Sequence, residues 1–158
     1  MDVYKRALPC EVPGARLFVS LGRLVRQKGV DILADVAPWL LSKYPEAQLL
    51  VIGPPADGFG FYAQRRLELL VQTGRFKGRL AVHCEFMEVP SCLKWGADFC
   101  LMPSRDEPFG YVDIEFAWRG ALTVGAQAGE EDLKGIQISM RNTVTDKGCF
   151  TIRQTRTC

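Results

Sequence analysis

The sequence predicts an α/β domain built on a doubly wound parallel sheet. Three observations carry this. Short apolar runs alternate with longer segments of helical period, in the order β-α-β-α-β-α-β-α-β. The short runs are nearly continuous in apolar residues, as strands are when helices cover both faces of a parallel sheet. The chain has 158 residues, 47% of them hydrophobic, which suits one domain with a real core and is too little for two large ones.

Each element follows from its own pattern. Arg16 to Gly22 reads as the first strand. Gly29 to Tyr44 reads as a helix, with Ile32, Leu33, Val36, Leu40 and Leu41 at helical spacing. Pro38 interrupts that helix and is expected to bend it, because proline lacks the backbone donor and crowds the preceding turn; Pro45 ends it. Gln48 to Gly53 is the second strand, and Pro54 to Gly60 is a loop rich in proline and glycine. A basic amphipathic helix over Phe61 to Thr73 leads to a third strand, Leu80 to Cys84. A short helix over Val89 to Trp95 precedes the fourth strand, Asp98 to Met102. The last pair is a helix over Gly110 to Trp118 and a fifth strand over Ala121 to Gly125. Ala126 to Cys158 is polar, without clear period, and is expected to be a loosely packed or disordered tail. The expected division is a Rossmann-like domain over residues 15–129 and a divergent, flexible tail over residues 130–158.

Composition excludes several function classes. Charged residues make up 24% and the net charge is +2, which argues against a nucleic-acid arm or an acidic tail. No apolar run approaches the roughly 18 to 20 residues that span a bilayer. Met1 to Gly14 carries Lys5 and Arg6 with no apolar stretch behind them, unlike a secretory signal. A cytoplasmic chain is expected. Among six cysteines there is no C-x-x-C pair. The one histidine, His83, adjoins Cys84, and on a strand their side chains would point to opposite faces. No metal site is expected, and the cysteines read as reduced thiols.

In a doubly wound sheet, ligands bind at the carboxyl ends of the strands where the strand order reverses. With the order 3-2-1-4-5, that crevice lies between the first and fourth strands. Two loops would line it, Gly22 to Gly29 and Pro103 to Gly110. In the first, two glycines flank Arg23, Arg26 and Lys28 just before a helix. That is either a diphosphate site, from cations beside a helix N-terminus, or a solvated basic turn. It is neither a dinucleotide G-x-G-x-x-G nor a Walker motif. The second loop holds Glu107, and Glu115 follows on the next helix. Along a continuous helix the two would stand about 12 Å apart. A retaining hydrolase pair needs about 5 to 5.5 Å and an inverting pair about 6.5 to 9.5 Å. Sharing one ligand therefore suits them better than acid–base pairing, although Pro108 leaves the spacing open. Taken singly, Glu115 reads as a surface helix residue, and Asp106 or Glu107 as a helix cap.

The loops together carry a family resemblance. Gly22-Arg23, followed by Gln27-Lys28-Gly29-Val30-Asp31, resembles the G-R-x-x-x-Q-K-G-x-D segment of glycogen and starch synthases. Ser104-Arg105-Asp106-Glu107-Pro108-Phe109-Gly110, with Glu115, resembles the P-S-R-x-E-P-x-G stretch and the paired glutamates of the same glycosyltransferase family. The form of that stretch, with Glu115-Phe116 and Arg119-Gly120-Ala121 after it, is similar to fungal-type α-1,3-glucan synthases; Gly53-Pro54 and Ala97-Asp98-Phe99 fit that branch too. The resemblance runs from about Ala15 to Gly129, and its motifs are specific in combination.

The resemblance implies the C-terminal half of a GT-B enzyme, in which two Rossmann-like domains face each other and this one holds the sugar nucleotide. By motif position, Arg23 and Lys28 would bind the donor diphosphate, Glu115 the ribose hydroxyls, and Glu107 would face the transferred glucose. Backbone amides around Phe109, Gly110 and Tyr111 would add donors. The implied reaction is retaining transfer of glucose from UDP-glucose or ADP-glucose to an α-glucan acceptor, without a bound metal or further cofactor. The fungal-like motif favours UDP. The implied partner is an N-terminal GT-B domain or full-length enzyme, and the implied location is the cytosol, the cytosolic face of a membrane-anchored synthase, or a plastid. Two departures stand out. Only about fourteen residues precede the first strand, so the N-terminal domain is expected to be missing from this sequence. The family's Gly-Gly-Leu stretch is replaced after Gly129 by Glu130-Glu131-Asp132. A non-catalytic nucleotide-sugar-binding module or truncated isoform stays open, as does another GT-B activity such as an epimerase or phosphorylase, though no pyridoxal lysine environment is recognisable.

Overall fold

A computed structural model describes residues 14–106, 111–126 and 136–139 of the chain. The strands are β1 (Arg16–Leu21), β2 (Ala47–Ile52), β3 (Leu80–His83), β4 (Phe99–Met102), β5 (Leu122–Ala126) and β6 (Ile136–Ser139). The helices are α1 (Val30–Lys43), α2 (Gly58–Gln72), α3 (Ser91–Gly96) and α4 (Tyr111–Ala117), and a single 3₁₀ turn spans Arg26–Lys28. The sheet order is β3-β2-β1-β4-β5-β6. The first five strands are parallel, and the order reverses between β1 and β4 as the sequence predicts.

Burial on both faces explains the apolar strand runs. All six residues of β2 are buried. Its side chains alternate between two cores, as the two-residue period of a strand requires. Leu49 and Val51 pack with Leu33, Ala37 and Leu41 of α1 and Ala63 and Leu67 of α2. Leu50 and Ile52 pack on the other face with Val19, Cys100 and Phe116, against which Leu93 of α3 and Val112 of α4 also lie. Between β1 and β4, Phe18 and Phe99 are register partners with rings stacked 4.5 Å apart.

Three local features have physical causes, and the last two are departures from the sequence reading. First, α1 continues through Pro38, as the sequence reading has it. A proline removes the donor that would have reached the carbonyl four residues back, here Ala34. Arg66 Nε of α2 donates to that carbonyl oxygen at 3.4 Å, so the neighbouring helix supplies the missing partner. Second, α2 begins at Gly58, inside the stretch that reads as loop, because Asp57 caps it by accepting from the Gly60 amide at 2.7 Å. Third, β6 lies beyond the last expected strand and pairs antiparallel with β5, placing Ile136 opposite Ala126. It covers an edge that would otherwise expose unpaired backbone groups. Residues 127–135 and 140–158, which hold the rest of the expected tail, lie outside the described residues. Among the described residues, no helix is long and apolar enough to cross a membrane.

The core makes a stability prediction. Phe116 is fully buried, whereas Leu69 on α2 is 46% exposed. Phe116→Ala is expected to cost about 3 to 5 kcal/mol, and Leu69→Ala about 0.5 kcal/mol or less. Urea unfolding checks this as a midpoint shift at unchanged slope, large for the first variant and near zero for the second.

Candidate functional site

The sheet brings the two motif loops to one edge, and the backbone then locks them together. The first loop leaves β1 at Gly22, whose amide donates to the Ile52 carbonyl at 3.0 Å. A Cβ on Gly53 would fall 1.9 Å from the Gly22 carbonyl oxygen, so only glycine lets the loops after β1 and β2 approach this closely. Leu24 is buried, and its amide and carbonyl bond to Pro54 and Ala56. Asp57, besides capping α2, accepts from the Arg26 amide at 2.7 Å. These two amides hold the Asp57 carboxyl below the ordinary carboxylate range. The loop ends at Gly29 in the left-handed conformation, φ 65°, where a Cβ would lie 1.9 Å from the Pro103 carbonyl oxygen after β4.

The second loop is tied to the first at three further points, and to the first turn of α1 at one. The Arg105 amide donates to the Gln27 carbonyl at 2.8 Å, and Gln27 Nε2 donates to the Asp106 carbonyl at 3.2 Å. Arg105 Nη1 donates to the Arg26 carbonyl at 2.8 Å. Its two terminal nitrogens also grip both Asp31 oxygens at 2.7 Å, a bidentate pair. Hydrogen bonding from Arg105 holds the Asp31 carboxyl below the ordinary range, against the opposing effect of burial. Sequence reading quotes Arg105 and Asp31 only as motif letters. Their conjunction in one crevice was the available signal, and their pairing is what the motif spacing alone does not reveal.

The expected site residues divide into three groups. Arg23 is exposed in the first loop, with no hydrogen bond or ion pair among the described residues, and Lys28 is half-buried a few residues on. Arg26, the third cation of the loop, lies over the Phe59 ring at 5.5 Å. On the other side of the crevice, Tyr111 opens α4 and is 72% exposed. Glu115, further along α4, accepts through Oε2 from Lys94 Nζ of α3 at 2.5 Å. Glu107, Phe109 and Gly110 lie outside the described residues. Burial pushes the Cys84 thiol up to about 11 and the buried Cys100 thiol up to about 12, so both stay protonated near neutral pH. Among the described residues no cluster of three or more His, Cys, Asp or Glu residues could hold a metal ion.

Comparison with known proteins meets this geometry. Residues 11–129 match the family described as glycosyl transferases group 1. The chain belongs to that family. Cell wall α-1,3-glucan synthase mok13 of Schizosaccharomyces pombe is 46% identical over 115 residues, covering 73% of this chain and 5% of that protein. A glycogen synthase of Pseudomonas fluorescens is 32% identical over 130 residues, covering 82% of this chain and 22% of its own length. This glycosyltransferase chain thus spans a small part of the curated relatives it matches. Its fold is similar to the catalytic domain of starch synthase IV from Arabidopsis thaliana bound to ADP and acarbose, with a TM-score of 0.65 at 21% identity over 79% of this chain and 24% of that one. The Rossmann-like, GT-B reading of the fold holds.

The Asp31–Arg105 pair carries a pH dependence. A carboxyl whose pKa is lower in the folded chain contributes its full stability above the unfolded value of about 3.9, and loses it as pH falls through the folded value. Asp31→Asn keeps the shape and removes the charge. The stability gap between wild type and this variant is expected to be constant near neutral pH and to shrink in acid below about pH 4. Urea unfolding across that range measures it; a gap unchanged into strong acid would mean that the pair's charge contributes nothing.

Proposed function

We propose that this domain holds the sugar-nucleotide donor of a retaining glucosyltransferase, which moves glucose from UDP-glucose or ADP-glucose onto a growing α-glucan. The observation that carries the reading is the jointed pair of loops at the switch point. Main-chain bonds and the Arg105–Asp31 pair fix the scaffold, while Arg23 is exposed from it at the carboxyl edge of the sheet. Such an edge is where doubly wound sheets bind nucleotides.

In this reading Arg23 and Lys28 hold the donor diphosphate, and Glu115 holds the ribose hydroxyls. Glu107 faces the transferred glucose, and amides around Phe109, Gly110 and Tyr111 add donors. Breaking the glucosyl–phosphate bond puts negative charge on the departing diphosphate and positive character on the sugar ring. Cations held in place before the reaction stabilise that leaving group as its charge grows. The carboxylates keep neutral hydroxyls in register. Retention follows from attack on the face the diphosphate leaves. The acceptor glucan and the remaining wall of the cleft belong to a facing N-terminal domain, which excludes water when it closes. The fungal-like form of the second motif favours uridine as the base; the starch synthase of similar fold is bound to ADP.

Calorimetric titration with UDP, ADP and inorganic pyrophosphate tests the assignment. Arg23→Ala and Lys28→Ala are each expected to weaken nucleotide binding about tenfold or more, the scale of one hydrogen bond to a charged partner. Glu115→Ala should weaken nucleotide while sparing pyrophosphate. Unchanged affinity in all three variants would overturn the site.

A further inference from the structure

We infer that Lys94 is a positioning residue for the nucleoside end of the donor site, acting through Glu115. The inference rests on the reading of Glu115 as the ribose ligand given above. Lys94 Nζ lies 2.5 Å from Glu115 Oε2, and its side chain is only 16% exposed, against 48% for Glu115. Lysine is rarely buried to this extent without a counter-charge, and here the counter-charge is the carboxylate that the reading assigns to the ligand.

The surrounding contacts make α3 a brace for α4. Leu93, beside Lys94, and Val112 of α4 both pack against the core that contains Phe116. Trp95, on its other side, lies beneath the Arg119 guanidinium at 5.9 Å. Arg119 Nη1 in turn donates to the Glu115 main-chain carbonyl at 2.8 Å. Glu115 is therefore held at its side chain by α3 and at its main chain by a residue that α3 also touches.

One consequence follows for a bound nucleoside diphosphate. An ionised carboxylate offers about four lone-pair sites on two oxygens. Lys94 engages Oε2 and fixes the side chain, and the other oxygen has no hydrogen bond among the described residues. Ordering the carboxylate before binding lowers the entropy cost of gripping ribose hydroxyls.

The test is calorimetry with three probes: UDP, 2′-deoxyuridine diphosphate and inorganic pyrophosphate, with the adenosine pair run alongside. Wild type is expected to prefer UDP over its deoxy analogue by about tenfold. Lys94→Met should cut that preference to about twofold or less, with pyrophosphate affinity not weakened beyond about twofold. Lys94→Arg, which keeps charge and donors, should retain most of it. If Lys94→Met does not fold, as judged by urea unfolding, Lys94→Gln carries the same comparison. A full ribose preference in Lys94→Met would overturn the inference. So would a parallel loss of UDP and pyrophosphate, which would make Lys94 a direct phosphate ligand. Failure of the underlying reading looks different: Glu115→Ala would then keep the full ribose preference.

Discussion

At the carboxyl edge of the sheet, the loop after β1 meets the loops after β2 and β4 more closely than side chains permit. Gly29 turns in a left-handed conformation against the Pro103 carbonyl, and Gly53 sits against the Gly22 carbonyl; a Cβ at either place would approach backbone oxygen to 1.9 Å. Any larger residue would push the loops apart. The bond from Arg105 to the Gln27 carbonyl, the bond from Gln27 to the Asp106 carbonyl and the Arg105–Asp31 pair all span the junction between Gly29 and Pro103. The crevice is thus assembled from main chain first. Side chains projected from a rigid main-chain base hold their positions better than side chains on a free loop.

That assembly sorts the charged residues of the motifs by role. Arg105 is taken up by Asp31 and the Arg26 carbonyl. The Arg26 guanidinium lies over Phe59, and its amide is bound by Asp57. Arg23 extends from the same loop into solvent. Part of what marks this glycosyl transferase sequence is therefore scaffold chemistry. The glycines, Asp31 and Arg105 shape the crevice, and fewer charges than the motif contains are left to meet a ligand.

The same division governs the body of the domain. Strand identity and order were legible because each parallel strand, buried on two faces, appears as an unbroken apolar run, and the alternation with helices admits few connections. Helix limits were less legible. A start at Gly58 depends on the Asp57 cap, inside a segment whose glycines and prolines suggest a loop. The continuation of α1 through Pro38 was legible, but the partner of the Ala34 carbonyl, Arg66 of another helix, was not. The β6 strand is four residues long and pairs only at the sheet edge, too short a signal for its pattern to stand out from a polar stretch.

By itself, then, the sequence determined the layer architecture, the reversal between β1 and β4, and the two loops that face each other there. Those are consequences of local pattern: apolar period, breaker residues and motif spacing are all written within a few residues of one another. Tertiary structure alone decided which charges are partnered. Asp31 and Arg105 are 74 positions apart, and Lys94 and Glu115 are 21 apart on different helices. No local pattern encodes such pairs. They arise only when β1 and β4 lie side by side and α3 packs against α4, because an ion pair is set by the distance between side chains in space and not by their separation along the chain.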